Sequence, residues 1–492
     1  MIKASGLFLR LDHSFEVTRL VDSFMQSSLI KKRWLSNSFV NLVGGIASAG
    51  INLLLPAVVV RHFSSEMFSL WNLALQIFVY VNLISLGLQT ATARAIAHAA
   101  EFEHGGGERL AIVTRAARSI SNWTAGLALA MVLVTVLVYP YFFHKMSPGL
   151  TGVFRWTIVL FGVAGVFQLL AQVEMGVFQG LHKNGVFVGA QVVARLIAVV
   201  LVWFGVAAHQ TMVILALLMA VGLILLMPMM RLALNRLPWA NSIRSIVLDR
   251  ACRRQLLHSC GTLSVWSVSM LLVNSVGILI VGRFDYSMVG SYSIAMTATT
   301  VVVGLLGAVL TPLLTTAAAM HGSTEGRKQL PELLSKSTFL VAIFLGLLLV
   351  VIMGAHTWLL RMWVGEQYVA STAPLLLVLV AAHCLRNIGA PYSFMLIATE
   401  LNKRALFTAI LEAGSNLVSS IILGYKWGAI GVALGTLVGS VVGIVGMYAV
   451  NTRNTPEISP KPMAFVANSV ILPVAVFSPV YYFLLHYWFK YI

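Results

Sequence analysis

The 492-residue chain is 59% hydrophobic and only 10% charged, and its formal net charge is +17. Soluble domains carry about 25% charged residues, and a soluble core cannot hide this much apolar surface, so a soluble globular protein is excluded. A bilayer accommodates such a chain because hydrocarbon acts as its solvent. Lys and Arg lie mostly in short segments between apolar runs, which is typical of membrane topology and argues against a nucleic-acid-binding protein.

Twelve apolar runs follow one another along the chain, and another lies near its end. Residues 1–35 precede them as a basic tail that lacks the apolar stretch of a cleavable signal peptide. Both Met1 and Met25 are candidate translation starts. A helix needs about 20 apolar residues to cross the hydrocarbon. On that measure the first six predicted spans are 36–60, 68–93, 119–142, 152–177, 186–208 and 211–231. The next six are 259–282, 290–318, 337–360, 373–398, 405–424 and 428–449, and the last apolar run covers 464–488.

The distribution of positive charge predicts the orientation. With the N-terminus in the cytoplasm, most of the 33 Lys and Arg residues fall on the cytoplasmic side, as the positive-inside rule requires. We therefore expect a multi-pass membrane protein whose N-terminus is cytoplasmic. Its three cysteines, Cys252, Cys260 and Cys384, have neither metal-binding nor CxxC spacing, so we expect no disulfide and no metal site.

An internal repeat divides the chain. The segment 63–71 recurs at 284–292, with Phe, Met and a terminal aromatic residue in the same places, and the same offset lays Gly222 on Gly443. Repeated halves are typical of transporters, which bind substrate between the halves near the midplane. We expect an all-α polytopic fold of 12–13 transmembrane helices, arranged as two homologous six-helix lobes around a central cavity. The predicted parts are a cytoplasmic tail (1–35), an N-lobe (36–231), a cytoplasmic linker (232–258), a C-lobe (259–450) and a linker with an extra span (451–492).

Charges inside the spans are the strongest functional signal. Arg195 and Arg386 lie mid-span, and so does Glu412. Each charge at the bilayer centre costs roughly 2.5–3.5 kcal/mol on insertion scales, so all three must face water or one another. One interpretation is a structural Arg–Glu pair. The other is a cationic site between the lobes, because the planar guanidinium group donates paired hydrogen bonds to phosphate or carboxylate.

Polar side chains at helical spacing accompany these charges. They predict either the lining of an aqueous cavity or, as is common for small and amide residues, contacts between helices. The predicted cavity-lining residues are Asn41, Asn52, Gln76, Gln191, Asn274, His383, Asn387 and Asn416. Glu412 and Glu174 are candidates for ion coupling, although Glu174 lies nearer the cytoplasmic end of its span, where it could simply reach water. The ladder Gly435, Gly439 and Gly443 predicts close helix packing.

No enzyme signature occurs in the chain. It lacks HExxH, GxSxG and the GxxxxGK[ST] phosphate-binding loop. Neither a catalytic residue nor a cofactor is expected, and a membrane-bound polymerase or acyltransferase would need a larger soluble loop or a catalytic constellation. A transporter without its own ATPase is the favoured class, and a non-transporting scaffold of a glycan-assembly complex is the alternative from another class.

Several short blocks resemble one known family across residues 36–450. In the N-lobe they are Asn41–Gly44 with Pro56, the segment 61–71, Leu86–Arg94 and Gly176–Leu181; in the C-lobe they are Val289–Ala295, Trp363–Tyr368 with Pro374, and Trp427–Thr436. Their order and spacing resemble the polysaccharide flippases of the multidrug/oligosaccharidyl-lipid/polysaccharide exporter (MOP) superfamily. Asn274 stands where that family often has an acidic residue, which puts cation coupling by this span in doubt.

The resemblance implies a two-lobed protein of the bacterial inner membrane that moves undecaprenyl-diphosphate-linked sugars to the periplasmic leaflet for lipopolysaccharide or exopolysaccharide synthesis. Arg195 and Arg386, with Arg94 at the cytoplasmic mouth, would bind diphosphate or acidic sugars. Inward movement of H⁺ or Na⁺ would add to the driving force, and a polysaccharide polymerase and chain-length regulator are candidate partners. The rivals within the superfamily are a multidrug extruder, which would favour an acidic cavity, and a lipid II flippase.

Overall fold

The structure is a computed structural model. It describes residues 28–85, 87–102, 107–143, 146–321, 324–399 and 401–459, together with residue 467. Residues 1–27 of the tail and nearly all of the predicted run at 464–488 lie outside the described residues. Within the described ranges the chain is helical apart from short turns and contains no strand, so the predicted all-α class is confirmed.

Among the described residues, sixteen α-helices of four or more residues carry the fold. In chain order they are α1 (Ser28–Val60), α2 (Ser65–Leu83), α3 (Leu88–Phe102), α4 (Gly107–Phe142), α5 (Thr151–Gly180), α6 (Asn184–Ala207), α7 (Met212–Ile224), α8 (Leu226–Asn235), α9 (Ser242–Ser245), α10 (Arg250–Asn274), α11 (Val276–Phe284), α12 (Val289–His321), α13 (Thr324–Val364), α14 (Val369–Asn387), α15 (Ala390–Ala398) and α16 (Leu406–Gly446).

Nine helical stretches among the described residues are long and apolar enough to cross a membrane by length and composition. One of them, Lys403–Asn454, covers two predicted spans. Its backbone leaves the helical conformation at Trp427 and Gly428, and this break separates the two spans. The two predicted spans outside these nine stretches, 68–93 and 259–282, are each built from two helices, α2 with α3 and α10 with α11. The predicted spans 211–231 and 373–398 are divided in the same way, into α7 with α8 and α14 with α15. Every one of the twelve predicted spans between 36 and 449 therefore overlaps helix in the structure.

The chain reverses at Gly428, where a positive φ of 59° favours glycine. The two arms of α16 then pack against each other over small residues. A Cβ atom added to Gly435 would lie 2.4 Å from the Ser420 amide nitrogen, and one added to Gly439 would lie 2.6 Å from Asn416 Cβ. The predicted packing role of this glycine ladder is confirmed, because nothing larger than glycine fits between the arms.

Helix packing forms two lobes. Helices α1–α8 pack mainly on one another, as do α10–α16, and α1 packs on α12 between the lobes. The first half of α10 crosses to the N-lobe, where Cys252, Leu256 and Cys260 are buried in a cluster with side chains of α3–α5. Asp249 caps α10 by accepting hydrogen bonds from the amides of Ala251 and Cys252. The predicted linker at 232–258 is thus helical at both ends.

The lobes meet tightly at one end of the molecule, which carries the loops at 61–64, 285–288 and 365–368 and is called the closed end below. The two copies of the sequence repeat contact each other here: the Gly290 amide donates to Ser69 Oγ at 3.1 Å. Trp363 Nε1 donates to the Leu53 carbonyl at 2.6 Å, and Arg61 Nη2 donates to the Met362 carbonyl at 3.0 Å. These bonds join α1 and α2 to α12 and α13 across the lobe boundary.

Candidate functional site

A cavity of about 400 Å³ lies between the lobes. It is bounded by α1, α2, α6 and α7 on one side and by α10, α11 and α12 on the other. Its polar lining residues are Asn52, Asn72, Gln76, Arg195, Asn274, Ser275, Ser293, Thr297 and Thr300, and its aromatic ones are Phe68, Trp71 and Phe78. Amides, hydroxyls and ring faces with one cation form a surface suited to a polar ligand that carries an anionic group.

Among the described residues, Arg195 is the single charged residue of this lining. It lies in the middle of α6, where the preceding turn contains Gln191 and the following turn Val199. Its side chain is half-buried, and no described residue offers it an ion pair or a hydrogen bond. A guanidinium group can only donate hydrogen bonds, so Arg195 brings an uncompensated positive charge and unused donors to the cavity.

Arg386 has a different environment. Its Nε lies 2.6 Å from Glu412 Oε1, and both side chains are nearly buried, with exposures of 14% and 11%. Its Nη1 donates to Asn274 Oδ1 at 2.8 Å. The Arg–Glu interpretation of the intramembrane charges therefore applies to Arg386 and Glu412. Arg386 reaches the cavity through Asn274, which is itself part of the lining.

The remaining predicted lining residues fall into three groups. Asn52 and Gln76 line the cavity, as predicted. His383 and Asn387 instead border a second, much smaller cavity inside the C-lobe. Gln191 donates to Met175 Sδ at 3.2 Å, and Asn416 is buried against the second arm of α16, so these two side chains contact protein. The side chain of Asn41 lies outside the described part of the chain.

Glu174 does not reach water, so that expectation is wrong. Its side chain is 2% exposed, and its Oε1 accepts hydrogen bonds from Arg118 Nε at 3.1 Å and Nη2 at 2.9 Å. Arg231 Nε approaches the same oxygen at 3.9 Å. The carboxylate joins α4, α5 and α8 within the N-lobe. Arg94 is exposed on α3 and does not belong to the cavity lining.

The hydroxyl side of the cavity was not predicted from the sequence. Ser293, Thr297 and Thr300 of α12 line it together, and their spacing of four and three residues places them on one helix face. That spacing was the available signal. No group of three or more His, Cys, Asp or Glu residues that could hold a metal ion occurs in the described ranges.

Comparison with known proteins agrees with this architecture. Residues 34–317 match the family model described as "Polysaccharide biosynthesis protein", whereas no curated protein matches the chain. A multidrug resistance MATE family transporter of the MOP superfamily, solved in an inward-facing conformation, has a TM-score of 0.66 at 16% identity, with 85% of this chain and 98% of that chain covered. The lipid II flippase MurJ in an inward closed conformation has a TM-score of 0.61 at 14% identity, with coverages of 94% and 99%.

A MOP superfamily transporter from Pyrococcus furiosus has a TM-score of 0.61 at 17% identity, covering 87% of this chain and 96% of that chain; its binding pocket is described as having reverse polarity, which suggests a different function for it. At these identities the likeness establishes the fold. The expected resemblance to the polysaccharide flippases of this superfamily is confirmed. Because the matched segment covers more than half of its length, the chain belongs to the polysaccharide biosynthesis protein family.

Proposed function

We propose that this protein is a flippase for undecaprenyl-diphosphate-linked oligosaccharide repeat units, which it moves from the cytoplasmic to the periplasmic leaflet of the bacterial inner membrane. The observation that carries the proposal is the unpaired Arg195 in a cavity of amides, hydroxyls and aromatic rings. Amides and hydroxyls match sugar hydroxyls, ring faces match apolar sugar faces, and the guanidinium group matches a phosphate or carboxylate.

The substrate would enter while the closed end is shut. Its glycan and diphosphate would move into the cavity from the opposite, cytoplasmic end, and its polyprenyl tail would stay in lipid. The exposed Arg94 would act as a first electrostatic contact before Arg195. Opening of the closed end and closing of the other would then expose the glycan to the far side, as in alternating access between two lobes.

The membrane potential can supply energy for this movement. Moving two negative charges outward through an inside-negative potential of 100 mV releases about 4.6 kcal/mol, at about 2.3 kcal/mol per charge. Coupling to H⁺ or Na⁺ would require a carboxylate that changes partners. Both candidates, Glu412 and Glu174, are held by arginines in this structure, so coupling would have to break one of these ion pairs.

The second candidate function is a multidrug extruder, favoured by the MATE transporter fold. Such a protein moves organic cations, and a cavity in which Arg195 is the only charged residue of the described lining repels them. The P. furiosus transporter with its reversed pocket polarity shows that this fold does not fix the charge of the pocket.

The test is deletion of the gene followed by complementation. We expect lipid-linked oligosaccharide to accumulate in the cytoplasmic leaflet and surface polysaccharide to be lost. Wild-type protein should restore both, whereas Arg195→Ala should lower flipping about 10- to 150-fold, as expected when a charge-assisted hydrogen bond of about 1.5–3 kcal/mol is lost. Arg155→Ala, which removes an exposed arginine outside the cavity, is the matched control. Normal polysaccharide with new sensitivity to cationic drugs would instead indicate the extruder.

A further inference from the structure

Three side chains form a continuous polar chain from the C-lobe interior to the cavity wall. Glu412 on α16 holds Arg386 on α14, and Arg386 in turn holds Asn274 at the last residue of α10. Two of the three are nearly buried, whereas Asn274 is exposed toward the cavity that it lines. Arg386 was predicted to bind ligand directly, but Asn274 lies between it and the cavity.

The contacts among Glu412, Arg386 and Asn274 fix which way the Asn274 amide faces. An asparagine side chain has an accepting oxygen and a donating NH₂ group, and a guanidinium group can only donate. Because Arg386 Nη1 occupies Oδ1 at 2.8 Å, the flipped orientation would set two donors against each other. Nδ2 therefore remains for the cavity, and no described residue accepts a hydrogen bond from it.

The charges of Arg386 and Glu412 compensate each other in the C-lobe interior, on the far side of Asn274 from the cavity. Arg386 is neutralised by Glu412, so the group presented to the cavity is a neutral donor. Tyr80 of the N-lobe donates to the Ser275 carbonyl at 3.1 Å, which pins the α10–α11 break beside Asn274. The cavity thus contains the donors of Arg195 on the N-lobe side and of Asn274 on the C-lobe side.

We propose that Asn274 is a specificity-determining residue of the cavity, and that Arg386 and Glu412 position it so that its NH₂ group, together with Arg195, selects an oxyanion over neutral or cationic groups. This inference rests on the proposed function. The oxyanion is a phosphate of the lipid carrier or a carboxylate of an acidic sugar; both are rich in acceptors, and the experiment below separates them.

The experiment measures binding by isothermal titration calorimetry to the full-length protein in nanodiscs. The probes are geranylgeranyl diphosphate, octyl glucuronide and, as the neutral control, octyl glucoside. Asn274→Ala removes the donor without adding charge, and we expect it to weaken binding of the preferred oxyanion about fivefold. Asn274→Asp places an acceptor where the donor was, and we expect at least a tenfold loss. Loss confined to one probe identifies the source of the oxyanion, and octyl glucoside binding should be unchanged.

The double variant Asn274→Asp with Glu412→Gln distinguishes the effect of losing the amide donor from the effect of adding a negative charge. It keeps one carboxylate beside Arg386, as in the wild type, but leaves no amide donor at 274. We expect it to stay at least tenfold weaker than the wild type. Full recovery in the double variant would show that net charge alone matters and would overturn the inference.

Arg195→Ala distinguishes failure of this inference from failure of the proposed function. If Arg195→Ala weakens oxyanion binding but both Asn274 variants bind within twofold of the wild type, the role of Asn274 is wrong and the proposed function stands. If the wild type binds neither oxyanion, both are wrong. Matched thermal unfolding of each variant shows that the protein tested is folded.

Discussion

The closed end should open when the lobe-to-lobe hydrogen bonds of Trp363 and Arg61 are removed. Trp363→Phe keeps an aromatic ring but deletes the donor to Leu53, and Arg61→Gln shortens the side chain that reaches the Met362 carbonyl. Both bonds form only while the two lobes are in contact at this end. Their loss therefore favours the conformation in which the lobes separate there.

The magnitude follows from the two bonds. A neutral hydrogen bond contributes about 1 kcal/mol net to stability. A charged donor contributes more when it is buried, but Arg61 is exposed to solvent, so we assign its hydrogen bond about 1 kcal/mol as well. Together they amount to about 2 kcal/mol, which shifts the ratio of open to closed molecules about 30-fold. A closed end populated at 99% would then fall to about 75%.

The assay is a distance measurement by double electron–electron resonance between spin labels at Ala208→Cys and Gln367→Cys, which are exposed on opposite lobes at this end. The three native cysteines are buried and react slowly. We expect a new, longer distance in the double variant. The control is Trp358→Phe, which alters an exposed tryptophan of the same helix. An unchanged distance distribution in the Trp363→Phe/Arg61→Gln protein would refute the inference that these two hydrogen bonds hold the lobes together at the closed end.

Two further predictions concern the lobes themselves. Glu174→Gln should lower the thermal unfolding temperature of the detergent-solubilised protein, because it leaves Arg118 without its carboxylate. The partial exposure of Arg118 reduces the cost of breaking this ion pair to about 1–3 kcal/mol. An unchanged unfolding temperature would argue against a structural role for Glu174. Gly435→Ala should lower the free energy of unfolding by at least about 1–3 kcal/mol, because its Cβ would meet Ser420 backbone atoms at 2.4–2.5 Å. Gly304→Ala, inside α12 and with nothing within 4 Å, should leave the unfolding temperature unchanged or raise it slightly, because alanine favours the helix over glycine.

The positions of the spans could be predicted from the sequence because bilayer thickness and backbone hydrogen bonding leave a transmembrane chain few alternatives. The helix break at Ser275 could not, since neither Gly nor Pro occupies position 275 and Gly277 itself lies within α11. Gly428 was visible as a boundary between two predicted spans, but the tightness of the reversal depends on Asp285, whose Oδ2 accepts a hydrogen bond from the next amide.

The charges of the site could be found from the sequence, but their partners could not. Insertion cost alone marks Arg195 and Arg386 as residues that need water or a counter-charge. Which of the two receives Glu412 depends on the packing of α14 against α16, two helices whose relative rotation no local pattern specifies. The sequence treats the two arginines alike, whereas the structure leaves Arg195 half-buried at the cavity wall and places Asn274 between Arg386 and the cavity.

The hydrogen bond between Ser69 and Gly290 joins equivalent positions of the repeat, 221 residues apart. In an ancestor whose two halves were separate, identical chains, each such position would have faced its own copy across a two-fold axis. A serine there would have met a serine, and a glycine a glycine. Fusion into one chain freed the two positions to diverge, so that one supplies the acceptor and the other the space for close approach. After such divergence the two lobes can present different groups to an asymmetric substrate.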